Sequence, residues 1–135
     1  MSVPVTLTGR LTADPDLKFA QSGTAIANLR VVTSARKFDK DANKWVDVDT
    51  TYWSVTAFKE LASNCVESLK KGDPVIVTGR VKSREFTDKE GNNRTVFEVT
   101  ADKVAVDLSR VCATVRKVER LKSAGDDPWI SDNPF

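Results

Sequence analysis

Apolar and polar residues alternate with a period of two along most of the chain. Val5, Leu7, Gly9 and Leu11 take one side of a first segment, and Thr6, Thr8 and Arg10 take the other. Successive side chains on a strand point to opposite faces, so this pattern predicts a strand with one buried face. Asp14-Pro15 and Ser22-Gly23 then punctuate a loop. A second strand is predicted from about Ala25, with Ala27, Leu29 and Val31 on one face and Asn28, Arg30 and Ser34 on the other. Residues 39–49 are polar and charged and read as an exposed loop or hairpin tip, and a third strand covers about 50–58. At Leu61 the period changes. Leu61, Ala62, Cys65, Val66 and Leu69 recur at helical spacing, and Lys70-Lys71-Gly72 supplies a basic last turn and a glycine stop. Strands four and five are predicted at about 74–87 and 94–105, around a turn at 88–93 that contains Gly91. Val111, Ala113 and Val115 alternate with Cys112, Thr114 and Arg116, which predicts a further strand.

Five strands with one helix between the third and fourth is the order of an oligonucleotide/oligosaccharide-binding (OB) barrel. The expected fold class is therefore all-β: a five-stranded OB-fold barrel with one helix between strands 3 and 4, plus an extra C-terminal strand. A chain of 135 residues has room for one domain of ordinary size with a short tail.

Charge adds a function class. Residues 1–125 hold all 21 Lys and Arg and carry a balance of +5, whereas residues 126–135 carry −3 with no base. A basic body with an acidic tail suggests a polyanion ligand and a tail that competes weakly with it. The absence of His removes the usual general base, most zinc sites and the common triads. Cys65 and Cys112 form no CxxC pair, and on the helix face Cys65 reads as a plain buried thiol. No glycine motif cradles a phosphate, and the six glycines read as isolated turn residues. No catalytic residue, metal or cofactor is expected, and the chain reads as a non-enzyme. No apolar run approaches 18 residues and no signal segment opens the chain, so no membrane association is expected and the cytoplasm is the default compartment.

The polar strand faces point to the ligand. Arg80, Lys82, Arg84 and Phe86 share one parity, opposite Val75, Val77, Gly79 and Val81. Arg30, Arg36 and Phe38 share the parity opposite Leu29 and Val31, while Tyr52, Ser54, Thr56 and Phe58 oppose Trp53, Val55 and Ala57. Single exposed aromatics are ordinary. Three outward sets, two of them interleaved with Arg and Lys, fit a single-stranded nucleic acid, whose bases stack on rings and whose phosphates need cations. Each position also has a structural alternative. Phe58, at the strand–helix junction, fits the core as well as it fits a base. Trp45 would stack on a base or clip the loop tip, Trp53 reads as structural, and Arg10 as a groove-edge cation or a solvated charge.

The last ten residues, Asp126-Asp-Pro-Trp-Ile-Ser-Asp-Asn-Pro-Phe135, set Trp129 and Phe135 among uncompensated acids. They read either as a peptide docked by partners or as a tail packed on its own domain.

Taken together, the chain resembles the bacterial single-stranded DNA-binding proteins. The resemblance is carried by Val5-Thr-Leu-Thr-Gly-Arg-Leu-Thr-Ala-Asp-Pro15, Asn28-Leu-Arg-Val-Val-Thr-Ser34, Leu61-Ala, Leu69-Lys-Lys-Gly72-Asp and Val77-Thr-Gly-Arg80, with Asn-Pro-Phe at the terminus. Ser109-Arg-Val-Cys-Ala-Thr-Val115 is similar to the clamp strand of actinobacterial members. The resemblance implies a homotetramer that wraps single strands in replication, recombination and repair. It implies stacking at Phe38, Tyr52, Phe58 and Phe86, where several members carry tryptophan. Phosphate contacts are expected from Arg10, Arg30, Arg36, Arg80, Lys82 and Arg84. Asp132, Asn133, Pro134 and Phe135 would dock replication and repair proteins. The expected organisation is an OB domain for DNA binding and oligomerisation over 1–116, a linker over 117–125 and an acidic-aromatic tail over 126–135, in a cytoplasmic, nucleoid-associated protein. A linker this short, without Gly/Pro/Gln richness, and a tip less acidic than usual suggest an accessory paralogue. An RNA-binding OB module and a purely protein-binding assembly factor are the competing readings.

Overall fold

Valine and threonine recur between the turns, and their branched side chains suit a pleated, half-buried surface. The computed structural model describes residues 2–118. Its elements are β1 (Val3–Leu11), β2 (Asp16–Phe19), β3 (Ala25–Asp39), β4 (Lys44–Phe58), α1 (Lys59–Ser68), β5 (Pro74–Thr87) and β6 (Asn93–Val106). They form one sheet in the order β1-β5-β6-β4-β3-β2, and a second pairing, β1 with β3, closes it into a barrel. All pairings are antiparallel except β4 with β6. This is the OB architecture that the element order predicts.

The core follows the predicted parity. Leu7 and Leu11 of β1, Ala27, Leu29 and Val31 of β3, Val55 and Ala57 of β4, Val75 and Val77 of β5 and Val99 of β6 are all buried. Helix α1 turns Ala62 and Cys65 inward, and Leu69 follows them into the same cluster. No polar or charged side chain is buried among the described residues. The barrel end below α1 is tied by backbone donors: Gly72 N–H to the Leu11 carbonyl at 2.8 Å, and Lys71 N–H to the Asp14 carboxylate at 2.8 Å.

Five local expectations are corrected. The segment after Asp14-Pro15 is not all loop, because Asp16–Phe19 pairs with Ala25–Asn28 as β2. Much of the polar stretch 39–49 is strand, since the arms of the β3–β4 hairpin run to Asp39 and from Lys44. The helix stops at Ser68 with no base in its last turn, so Lys70 and Lys71 lie in the following turn. The strand expected over 111–116 is not formed in the single chain. A strand is held by pairing with another edge; here that segment lies along α1 and the end of β6, with Arg116 set 3.5 Å from Glu67. Finally, Gly9 and Gly79 are not turn residues. A Cβ on Gly9 would land against the Val32 carbonyl, and one on Gly79 against the Thr100 carbonyl, both on neighbouring strand backbones.

Two predictions follow from this packing. Gly79→Ala forces the β5 and β6 backbones apart, and overpacking of this kind costs about 1–3 kcal/mol. Its denaturant midpoint should fall with an unchanged m-value; an unaltered midpoint would show that the strands yield freely. The two thiols are free and differ in setting, Cys65 buried and Cys112 exposed. Burial pushes the Cys65 thiol up to about 11, and the thiolate is the reactive form. Iodoacetamide at neutral to mildly alkaline pH should therefore label Cys112 in the native protein and Cys65 only after denaturation, as read by peptide mass mapping.

Candidate nucleic-acid interface

Cross-strand register assembles the polar positions into one surface. Directly paired residues point to the same side of a sheet. Arg30 of β3 pairs with Ser54 of β4, Ser54 with Glu98 of β6, and Glu98 with Lys82 of β5. A parallel row runs through Asn28, Thr56, Thr100 and Arg80. The outward faces of four strands are thus one continuous convex face, opposite the core. Arg10 joins it across the closing seam, paired with Val32, which pairs in turn with Tyr52.

All four aromatics picked out by parity lie on this face and are exposed: Tyr52 at 74%, Phe58 at 41%, Phe38 at 40% and Phe86 at 39%. Phe58 is therefore not a core residue, although it stands at the N-terminal boundary of α1. Trp53 lies opposite, half-buried against the core, with its indole N–H donated to the Thr33 hydroxyl at 2.9 Å. That is the structural role its parity predicts.

The cations divide into two groups. Arg84 donates to Glu98, with Nη2 at 2.9 Å and Nε at 3.1 Å from one carboxylate oxygen, and its guanidinium stands 5.8 Å from the Phe86 ring centre. Arg36 lies 3.3 Å from Asp47. Among the described residues, no carboxylate pairs with Arg10, Arg30, Arg80 or Lys82. A polyanion therefore meets four uncommitted charges and two arginines whose acids it must displace or tolerate. The β5–β6 turn is clasped by Asp88, which accepts from Arg94 Nε at 2.8 Å and from the Asn92 and Glu90 N–H groups. The Arg94 bond first, then the Asn92 N–H, holds its carboxyl below the usual range.

Two features were not drawn from the sequence. Glu98 and Asp47 orient the arginines, but an acid's partner on the next strand is invisible without register. Phe97 is 64% exposed on the opposite side of β6 from Glu98, beyond the barrel wall, where it lines a cleft of about 690 Å³ with Trp53 and Val81. The tail residues Asp132, Asn133, Pro134 and Phe135, and with them Trp129, lie outside the described residues.

A family-model comparison matches residues 3–107, all six strands and the helix, to the single-strand binding protein family. The single-stranded DNA-binding protein of Paenarthrobacter aurescens is 36% identical over 148 residues, covering 96% of this chain and 86% of that protein. The Mycobacterium tuberculosis protein of the same name is 37% identical over 142 residues, covering 94% of this chain and 87% of its own. The crystal structure of the small single-stranded DNA-binding protein from Streptomyces coelicolor matches with a TM-score of 0.70 at 31% identity, covering 82% of this chain and 98% of that one. With its barrel, its helix and nearly all of its length matched, the chain belongs to the single-strand binding protein family, and the relatives it resembles are actinobacterial.

Proposed function

We propose that this protein binds and protects single-stranded DNA without catalysis and with little sequence preference. The observation that carries the reading is the one continuous outer face that holds four exposed aromatics among uncommitted cations. Bases stack on Phe38, Tyr52, Phe58 and Phe86, while Arg10, Arg30, Arg36, Arg80, Lys82 and Arg84 neutralise phosphates. Rings and point charges accept any base, so no constellation for reading base edges is required. The relatives' names support DNA as the strand bound. The working unit we propose is a homotetramer of OB domains over 1–116, acting in the cytoplasm on nucleoid DNA during replication, recombination and repair. The short segment 117–125 links it to a tail over 126–135 that recruits replication and repair proteins through Pro134-Phe135.

The salt response tests the electrostatic half of this reading. Each phosphate neutralised on a single strand contributes roughly −0.7 to the slope of log K against log salt. The four uncommitted cations predict a slope of about −3 per subunit, rising to about −4 where Arg36 and Arg84 also exchange their acids for phosphates. Titration of dT oligomers at several salt concentrations measures it; a flat response, or a preference for duplex or for matched RNA, would remove the proposal.

Phe86→Ala and Tyr52→Ala test the stacking half. Each should weaken binding by about 1–3 kcal/mol, the range established for OB-fold single-strand binders as a class rather than a value obtained from this chain. Both rings are exposed, so thermal melting should barely move. A large fall in melting temperature with affinity intact would reassign that ring to folding.

Deleting residues 126–135 removes −3 of charge from a molecule whose remainder carries +5. Single-strand affinity should rise modestly at low salt and return to the parent value near 0.15 M, where the Debye length is about 8 Å. Phe135→Ala removes the docking anchor but no charge. It should abolish partner capture and leave DNA affinity unchanged; capture that survives would leave the tail only its electrostatic effect.

A further inference from the structure

Charge on the outer face is sorted by strand. Four strands cross the face in the order β5-β6-β4-β3. One cross-strand row reads Lys82, Glu98, Ser54, Arg30, and the next runs from Arg80 to Asn28 through Thr100 and Thr56. The exposed cations of these rows therefore stand on two flanks, Arg80 and Lys82 on β5 and Arg30 on β3. The midline between them, on β6 and β4, is half-buried and holds hydroxyls with one acid, Glu98. Neighbouring strands lie about 4.8 Å apart, so three spacings set the flanks about 14 Å from each other.

Glu98 also changes what its neighbours offer. It draws in Arg84, the next outward cation of β5, with Nη2 at 2.9 Å and Nε at 3.1 Å from one carboxylate oxygen. The guanidinium is thereby turned off the flank and set 5.8 Å from the Phe86 ring centre. The pair is formally neutral, so the cation that leans over the midline brings no net charge to it. Nη1 is not engaged by Glu98 and stays available to a phosphate on the flank.

A single strand suits this layout. Its phosphates follow a cationic flank while its unpaired bases, which are neutral, lie inward over rings and hydroxyls. A duplex has its bases already paired and stacked, and inorganic polyphosphate has none. Both can bring only negative charge to the midline, where the neutral pair does not attract it and the second carboxylate oxygen repels it.

We propose that Glu98 determines ligand specificity by keeping phosphate off the midline, so that the face retains polyanions with unpaired bases and rejects those without. This inference rests on the single-strand reading above and names the residue that makes the face selective.

The test measures binding of the full-length protein to dT oligomers, to duplex DNA of equal length and to inorganic polyphosphate. Glu98→Gln keeps the side-chain shape and frees Arg84. It should bind duplex and polyphosphate about 5-fold more tightly, the span of one exposed ion pair, and dT within about 2-fold of the wild type. The duplex salt slope should steepen by about 0.9, one more phosphate neutralised, while the dT slope stays as it was. Glu90→Gln, on the β5–β6 turn, changes the net charge equally at an acid that forms no ion pair among the described residues. It should leave the preference for dT intact; an equal loss of preference there would reduce the effect to net charge and overturn the proposal. Equal gains on all three ligands in Glu98→Gln would make Glu98 a general brake, and weaker dT binding would make it a support for Arg84. Either result overturns the proposal. If the wild type prefers dT and Glu98→Gln keeps that preference, only this inference fails. If the wild type has no preference for dT, the single-strand reading itself fails.

Discussion

Closure of the sheet depends on two points where one strand's backbone passes too near another for any side chain. Gly9 lies against the Val32 carbonyl and Gly79 against the Thr100 carbonyl. Because neither has a Cβ, β1 can leave β5 and reach β3, and β5 can bend over β6 at the register shift beside Gly79. Closure turns one side of every strand inward. Valine and leucine fill that side, and α1 covers one end of the barrel with Ala62 and Cys65. Everything of the opposite parity is thereby committed to the outer surface. The outer face that carries the aromatics and cations is thus a consequence of barrel closure rather than a separately built feature.

That outer face is not simply basic. Glu98 stands between Ser54 and Lys82 in a cross-strand row that also contains Arg30, and it holds Arg84 by two nitrogens beside Phe86. Asp47 holds Arg36 by one nitrogen, at 3.3 Å. Exposed pairs of this kind contribute little to folding, about 0–1 kcal/mol. In the proposed role their effect is on ligand binding. An arginine already held in place, as Arg84 is between Glu98 and Phe86, loses less side-chain freedom when a phosphate arrives, but the nearby acid subtracts from the attraction. Uncommitted cations supply the pull, and paired ones supply the geometry. A sequence-tolerant binder that must also release its strand is served by both.

Alternation made most of this legible in the sequence. A period of two assigned Leu29, Val31, Val55, Val75 and Val77 to the core and Phe38, Tyr52, Phe86 and the arginines to the outside, because a barrel with one buried face leaves parity no freedom. The failures have particular causes. β2 is only four residues long, and of its alternating Leu17 and Phe19 only Leu17 packs on the core while Phe19 is exposed, so the pattern was too short to mark a strand. Alternation put Gly9 and Gly79 on the core side of their strands, but their reading as turn residues missed their role, because a close approach by another strand leaves no local mark. Residues 111–116 alternate as a strand should, but here they run along α1 and the end of β6 without strand pairing. The glycine contacts depend on neighbours distant in sequence, and β2 on a pattern too short to read.

The β3–β4 hairpin shows the same limit at the finest scale. A bulge is a mismatch in count between two arms, and neither arm reveals it alone. Asp49 tolerates its positive φ better than a branched residue would, yet Asp-Thr in a charged stretch is unremarkable as sequence. The consequence is large: one extra residue moves Trp45 from the side of Trp53 to the side of Tyr52 and Phe38. It also exchanges Val46 and Val48 to the reverse face, where they are half-buried rather than exposed. The bulge therefore sorts the hairpin in both directions at once, apolar aliphatics to one side and aromatics with their charges to the other. Without it the same ten or so residues would present a valine stripe outward and turn an indole towards the core side. The amphipathic character of the hairpin, and with it any role in holding a strand, resides in the pairing register and not in the composition.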